Sequence, residues 1–344
     1  MARVGINPAR GKLISNRPAR ITVTLLSYIP DLSGYFEDRL KILKIVLESL
    51  HANTSTPYDL LVFDNGSCQE VIEFLTARNH AGEINYLILS DKNIGKIDAF
   101  QILFNTSPGE IIAYSDDDIL FYPNWLEAQL EILDSFPHAG MVSGTPVRNA
   151  SMHARESLDQ LIANKPDGIK MSNRRAIPDD WEIDWAISTG RDPQEHLRIT
   201  QDHQDLVLQV QDTKRGIECE AVGSANHFQF ITPKKIILQA LPNQWSGMLM
   251  GSMVELDEAI DQLGYLRLST TQRYTRHLGN VLKDDLLTEL KAMGLKNIAD
   301  ITQTEIKPHT AERSERKKHW LLQIPGSRRI LSAVYHRLFQ ILYK

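Results

Sequence analysis

The apolar run Ile111-Ile112-Ala113-Tyr114-Ser115 ends in three consecutive aspartates, Asp116, Asp117 and Asp118. Adjacent carboxylates repel one another, so packing alone gives no reason to gather them. At strand spacing, Asp116 and Asp118 project to one side and Asp117 to the other. Two hard oxygen donors at a strand end suit Mg2+ or Mn2+, above all a metal shared with a substrate diphosphate.

The surrounding sequence places that strand end in a sheet. Residues 21–27, 58–63, 84–89, 110–114 and 141–143 read as apolar strands, and residues 39–50, 71–77, 96–104 and 125–133 as helices between them. The strands do not alternate apolar and polar residues, so they are buried on both faces. Repeated β-α units of this kind predict an α/β fold built on a doubly wound, mainly parallel sheet. Ligands of such sheets bind beyond the carboxyl ends of the strands. The polar clusters at Asp64-Asn65-Gly66-Ser67, Asn93-Ile94-Gly95-Lys96 and Asp116–Asp118 all follow strands and are expected on one edge.

The rhythm breaks between residues 151 and 218, which are polar and charged and carry Trp181 and Trp185. This stretch is expected to be a largely helical insertion or lid. Strand and helix patterns return at residues 225–231, 233–239 and 255–263, and residues 329–344 read as a basic amphipathic helix. The expected division is a basic extension (1–20), a first α/β half (21–150), the insertion (151–218), a second half (219–285) and a helical tail (286–344).

Composition excludes several classes. The net charge of −5 is unevenly spread: residues 1–20 hold five basic residues and no acid, and residues 311–344 hold eight Lys/Arg against two Glu. The remainder, about −16, falls on residues 21–310, an acidic body unlike the single basic face of a nucleic-acid binder. The two cysteines, Cys68 and Cys219, make no disulfide framework, and no Cys/His spacing indicates zinc. No apolar run reaches transmembrane length and the N-terminus lacks a signal-like apolar core, so a cytoplasmic protein is expected.

The order Asp64-Asn65-Gly66-Ser67, Asn93-Ile94-Gly95-Lys96, Gly109-Glu110, Asp116-Asp117-Asp118 and Pro123-Asn124-Trp125-Leu126 resembles the family 2 glycosyltransferases of GT-A fold. The resemblance covers residues 21–144 well and continues more weakly at 223–233, 255–265 and His277. It implies transfer of a sugar, with inversion, from a nucleotide-diphosphate donor bound by the first half to a glycan or lipid-linked acceptor, as in assembly of cell-envelope polysaccharide. Such transfer uses a carboxylate base and Mn2+ or Mg2+ on the leaving diphosphate.

Carried onto this chain, the resemblance makes Asp118 a metal ligand and Asp116 a ligand of the ribose or the metal, with Asp117 between them. His277 resembles a late histidine that some members use as a further metal or diphosphate ligand. Ser27 and Tyr28 would lie beside the nucleobase, Asp64 on base or ribose, and Asn93, Gly95 and Lys96 beside the nucleotide. The acidic pair that precedes a Gly-Tyr in the family is broken here, in Met253-Val254-Glu255-Leu256-Asp257-Glu258 before Gly264-Tyr265. Glu255 is the expected base and Asp257 its rival. Turn and helix-cap roles remain open for Asp64 and Lys96, and ordinary packing for Trp181 and Trp185.

Two other functions are compatible with parts of this pattern. A nucleotidyltransferase making nucleotide sugars would want a Gly-rich basic loop after the first strand, where Ser27–Gly34 holds no basic residue. A non-catalytic binding protein would explain the broken acid pair. The basic terminal helix, with Leu331, Val334, Leu338 and Leu342 on one face, is suited to peripheral contact with an anionic membrane or to packing on protein.

Overall fold

The structure is a computed structural model, and it describes residues 6–295 apart from 8, 15–16 and 213–215. The helix expected at residues 329–344 lies outside the described residues. The first half runs β1 (Ile21–Ser27), α1 (Arg39–Asn53), β2 (Tyr58–Asp64), α2 (Gln69–His80), β3 (Tyr86–Leu89), α3 (Lys96–Thr106), β4 (Ile111–Asp116), β5 (Ile119–Phe121), α4 (Trp125–Ser135) and β6 (Ala139–Ser143). There follow α5 (Glu156–Asn164), β7 (Ile169–Arg174), α6 (Asp179–Ser188), α7 (Pro193–Ile199), β8 (Asp205–Asp212), β9 (Ile217–Val222) and β10 (Gln229–Pro233). The described part closes with α8 (Lys234–Ala240), α9 (Met253–Gln262), β11 (Leu266–Ser269), β12 (Thr275–His277) and α10 (Asp284–Ala292).

The main sheet has the order β3-β2-β1-β4-β10-β6-β11-β9-β8-β7. The pairs β3–β2, β2–β1 and β1–β4 are parallel, and β10 enters antiparallel between β4 and β6. β4 shows why its strand reads as uniformly apolar. Ile111 and Ala113 pack into one core with α1 and α4, while Ile112 and Tyr114 pack into a second with α3, α8 and α9. Helices thus cover both faces of the parallel region, and each fully buried aliphatic side chain there contributes about 1.5–3 kcal/mol.

The insertion differs in part from expectation. It contains three helices, but also β7 and β8, which extend the main sheet through antiparallel pairing to β9. The expected strand at residues 225–231 begins only at Gln229. The preceding turn is held by Asn226, whose Oδ1 accepts from Gln229 N at 3.2 Å and whose Nδ2 donates to Thr145 O at 2.6 Å. A two-stranded ribbon of β12 and β5 sets His277 opposite Ile119, next to the aspartates. No helix among the described residues is long and apolar enough to cross a membrane.

Candidate active site

Register brings the strand ends together. Ser27 of β1 pairs with Asp64 of β2, and Leu26 pairs with Asp116 of β4. The segment after β3 joins them: Asn65 Nδ2 donates to Asn93 Oδ1 at 3.0 Å, and Asn65 Oδ1 accepts from Ile94 N at 3.0 Å. Asn93 Oδ1 also accepts from Gly95 N at 2.8 Å, which shapes the entry to α3. Tyr28 follows Ser27, partly exposed, with its ring edge-on to Phe36.

Asp64 is buried. Its Oδ2 accepts from Gly66 N at 3.3 Å and Ser67 N at 3.0 Å, while its Oδ1 has no partner. Burial pushes its carboxyl pKa up against these hydrogen bonds. One oxygen of the side chain thus forms the turn, and the other is left without a partner.

Gly95 caps α3 with φ +93°, and a Cβ there would lie 2.2 Å from Met248 O. The closeness reflects a loop, residues 244–251, lying over the N-terminus of α3. Lys96 N donates to Leu249 O at 2.9 Å, and the Asp98 carboxylate accepts from Ser246 N at 2.7 Å and Gly247 N at 3.0 Å. Lys96 Nζ reaches back to the Asp116 carboxylate at 2.6 and 2.8 Å, and Tyr114 donates its hydroxyl to the same group.

Asp117 and Asp118 do not continue the strand alternation, because β4 ends at Asp116 and a turn begins. Arg39, in the first turn of α1, spans both. It donates to Asp117 Oδ1, to Asp118 Oδ2 at 2.6 Å and to Gly279 O at 3.2 Å. Ser27 Oγ donates to Asp117 Oδ2 at 2.8 Å. Burial, only partly offset by Arg39, pushes the Asp117 carboxyl up to about 6. Burial acts on Asp118 too, but there His277 and Arg39 outweigh it and hold the carboxyl below its ordinary value.

His277 Nε2 lies 3.6 Å from Asp118 Oδ2, and its Nδ1 faces Ser188 Oγ at 3.0 Å. Asp118 Oδ1 is buried without a partner. Among the described residues no group of three or more His, Cys, Asp or Glu side chains forms a metal cage. A hard divalent ion shared with a diphosphate asks for less: one or two protein ligands, with phosphate oxygens and water for the rest. The unpartnered oxygen of Asp118, with His277 beside it and Asp116 across the turn, fits that requirement.

The two candidate bases on α9, Glu255 and Asp257, fall in different surroundings. Glu255 is exposed in the first turn, beside the capping Ser252, whose Oγ accepts from Glu255 N at 3.3 Å. Asp257 is fully buried, and its Oδ2 meets Arg267 Nη2 at 2.9 Å, His153 Nε2 at 2.9 Å and His227 Nδ1 at 3.1 Å. Burial would raise its pKa, but Arg267 and the two histidines bring it down to about 2. Trp181 and Trp185 stack with Arg273 and Arg191, and Asp184 between them binds Arg276 of β12 at 2.7 Å. The insertion thus braces the strand that carries His277.

Sequence reasoning missed Arg39 and the loop at 244–251, and reached His227 only as part of the weaker resemblance at 223–233. A signal for Arg39 existed: a cation in the first turn of a helix opposes the helix dipole, so it needs an anion elsewhere.

A family model described as glycosyl transferase family 2 matches residues 35–189. Similar solved structures include a mannosyltransferase from Pyrobaculum calidifontis in complex with GDP-Man and Mn2+, at 20% identity over 38% of this chain and 36% of that one, TM-score 0.30. GalNAc-T7 with UDP, GalNAc and Mn2+ is 12% identical over 77% of this chain and 44% of that one, TM-score 0.42. TarS of S. aureus, residues 1–349, is 10% identical over 80% of this chain and 64% of that one, TM-score 0.42. The chain thus spans less than two thirds of the length of each of these structures. No curated protein sequence matches it significantly.

Proposed function

We propose that the family 2 glycosyl transferase domain carried by this chain over residues 35–189 moves a sugar from a nucleotide-diphosphate donor to an acceptor hydroxyl, with inversion at the anomeric carbon. The observation that carries this reading is the buried, unpartnered Oδ1 of Asp118 at the same sheet edge as Asp64, Asn93 and Lys96. The nucleoside lies across the ends of β1 and β2, where Tyr28 offers a ring and Asp64 an unpartnered oxygen. The diphosphate lies over the aspartate turn. Asp118 and His277 would hold Mn2+ or Mg2+ there, which supplies positive charge against the departing diphosphate.

The chain's own residues set up that charge balance. Three carboxylates, Asp116 to Asp118, are met by two fixed cations, Arg39 and Lys96. One negative charge is left over, which suits a divalent ion carried in with an anionic donor. Arg39 fixes the rotamers of Asp117 and Asp118, so the ligand oxygen is preorganised rather than recruited.

The test is calorimetric titration with UDP, GDP, dTDP and CMP, each with Mn2+ and with EDTA, on the wild type and Asp118→Ala. Metal-dependent binding of one nucleotide, lost in Asp118→Ala, is the expected result. Metal-dependent binding retained in the variant would overturn the ligand assignment, and no binding of any of the four by the wild type would overturn the reading.

A further inference from the structure

Neither Glu255 nor Asp257, the two acids of α9 expected as base, offers an acceptor hydroxyl a good base. Asp257 has no exposed surface, and its carboxylate is already shared among Arg267, His153 and His227. Glu255 is exposed in the first turn of the helix, where its backbone N–H donates to the Ser252 cap. The arrangement around Asp257 nevertheless has the form of a base-and-orienter pair.

An ionised carboxylate only accepts hydrogen bonds, so the ring nitrogen that faces it must carry the proton. His227 faces Asp257 Oδ2 through Nδ1 at 3.1 Å. In the neutral ring that leaves the lone pair on Nε2, and the side chain is 34% exposed against 0% for Asp257. His153 faces the same oxygen through Nε2, with a side chain 22% exposed. Arg267 anchors the carboxylate from behind and also donates to Ala225 O at 2.6 Å, two residues before His227.

His227 is also set at the aspartate turn. The next residue, Phe228, accepts from Asp116 N through its carbonyl at 2.9 Å, and its ring lies edge-on to His277 at 5.3 Å. The β10–β4 register ends with Gln229 opposite Ser115, and the Phe228 carbonyl makes the next link, to Asp116, so His227 stands one residue from that link to the aspartate turn.

We propose that His227, oriented by Asp257, is the catalytic base that takes the acceptor proton. This rests on the glycosyl transfer reading. The acceptor oxygen bonds to the anomeric carbon as its proton passes to His227 Nε2. The bond from that carbon to the diphosphate oxygen breaks, and its electron pair leaves with the nucleoside diphosphate. Asp257 stabilises the imidazolium through Nδ1, and His153 and Arg267 are positioning residues.

Two measurements on the full chain test this. In the first, nucleoside diphosphate release is followed from UDP-glucose, UDP-N-acetylglucosamine, GDP-mannose and dTDP-rhamnose, with water as acceptor, and nucleoside diphosphate affinity is measured alongside. His227→Ala and His227→Gln should lose about 100-fold or more in release, with affinity within about twofold of wild type. Release at the wild-type rate by both variants overturns the proposal. In the second, nitrogen NMR of histidine-labelled protein above neutral pH, assigned with His227→Gln, should show His227 protonated at Nδ1 and bare at Nε2. Asp257→Asn should disturb that tautomer. The opposite tautomer in the wild type overturns the proposal whether or not any donor turns over. A wild type that binds no nucleoside diphosphate sinks the transfer reading instead, a result distinct from either.

Discussion

Arg39 Nη1 lies 2.6 Å from Asp118 Oδ2, linking the first turn of α1 to the turn after β4. The same guanidinium binds Asp117, and both carboxylates are nearly buried. Breaking a buried ion pair by removing one partner leaves an uncompensated charge, which costs about 3–5 kcal/mol. Arg39→Ala should lose stability on that scale in urea denaturation. Arg39→Lys should fall between, because a point charge cannot span two carboxylates as the planar fork does. A loss below about 1 kcal/mol for Arg39→Ala, the scale of an exposed pair, would mean that water replaces the guanidinium freely.

Lys96 is the cation of the site that can be removed most cleanly. Its pair with Asp116 is partly solvated, with side-chain exposures of 14% and 21%, so the stability cost should stay near about 1 kcal/mol. Under the proposed function the same ammonium lies within reach of the donor diphosphate. Lys96→Met should weaken nucleoside diphosphate binding about tenfold, the scale of one charge-assisted hydrogen bond. Calorimetry with Mn2+ present reads this directly, and unchanged affinity would take Lys96 out of the binding site.

The loop over α3 depends on the absence of one methyl group. At Gly95 a side chain meets two obstacles, φ +93° and a Cβ position 2.2 Å from Met248 O. The backbone conformation alone, an extended one at positive φ, costs an L-residue about 1–3 kcal/mol, and the contact with a carbonyl can be relieved only by moving the loop. Gly95→Ala should therefore release residues 244–251, which carry the exposed Trp245, Met248, Leu249 and Met250. Faster protease cleavage in this loop and altered Trp245 fluorescence are the expected readouts. A protection pattern equal to wild type would show that α3 shifts instead.

Much of the parallel sheet was legible because its strands are apolar on both faces and its polar clusters follow strands. Asp64, Asn93 and Asp116 could be set on one edge from that rhythm alone. The pairings that organise the edge were not legible. Arg39 and Asp118 are 79 residues apart, and one sequence carries no periodic signal for so distant a contact. The strands within the insertion were obscured for a local reason: β7, Ile169–Arg174, is largely exposed and polar, so its burial pattern resembles that of a solvated segment. Glu255 and Asp257 show a further limit. Sequence spacing put both acids near the right helix, but only the packing of α9 distinguishes an exposed first turn from a fully buried anion.

Asp257 should make stability depend on acid in a window set by its own ionisation. Its folded pKa of about 2 lies below the ordinary 3.8, so the folded state holds the proton less tightly than the unfolded chain. Such a group stabilises the fold fully above the unfolded value, and the contribution fades as pH falls from about 4 toward 2. The difference corresponds to about 2 kcal/mol at neutral pH. Asp257→Asn loses this term and also leaves Arg267 buried without its anion, so at pH 7 it should be destabilised by more than the titration alone predicts. Urea denaturation of both proteins between pH 7 and pH 3 should show the gap narrowing as acid is added. A gap that stays constant to pH 3 or widens would mean that Arg267 and the two histidines do not hold Asp257 ionised, and the orientation of His227 would lose its anchor.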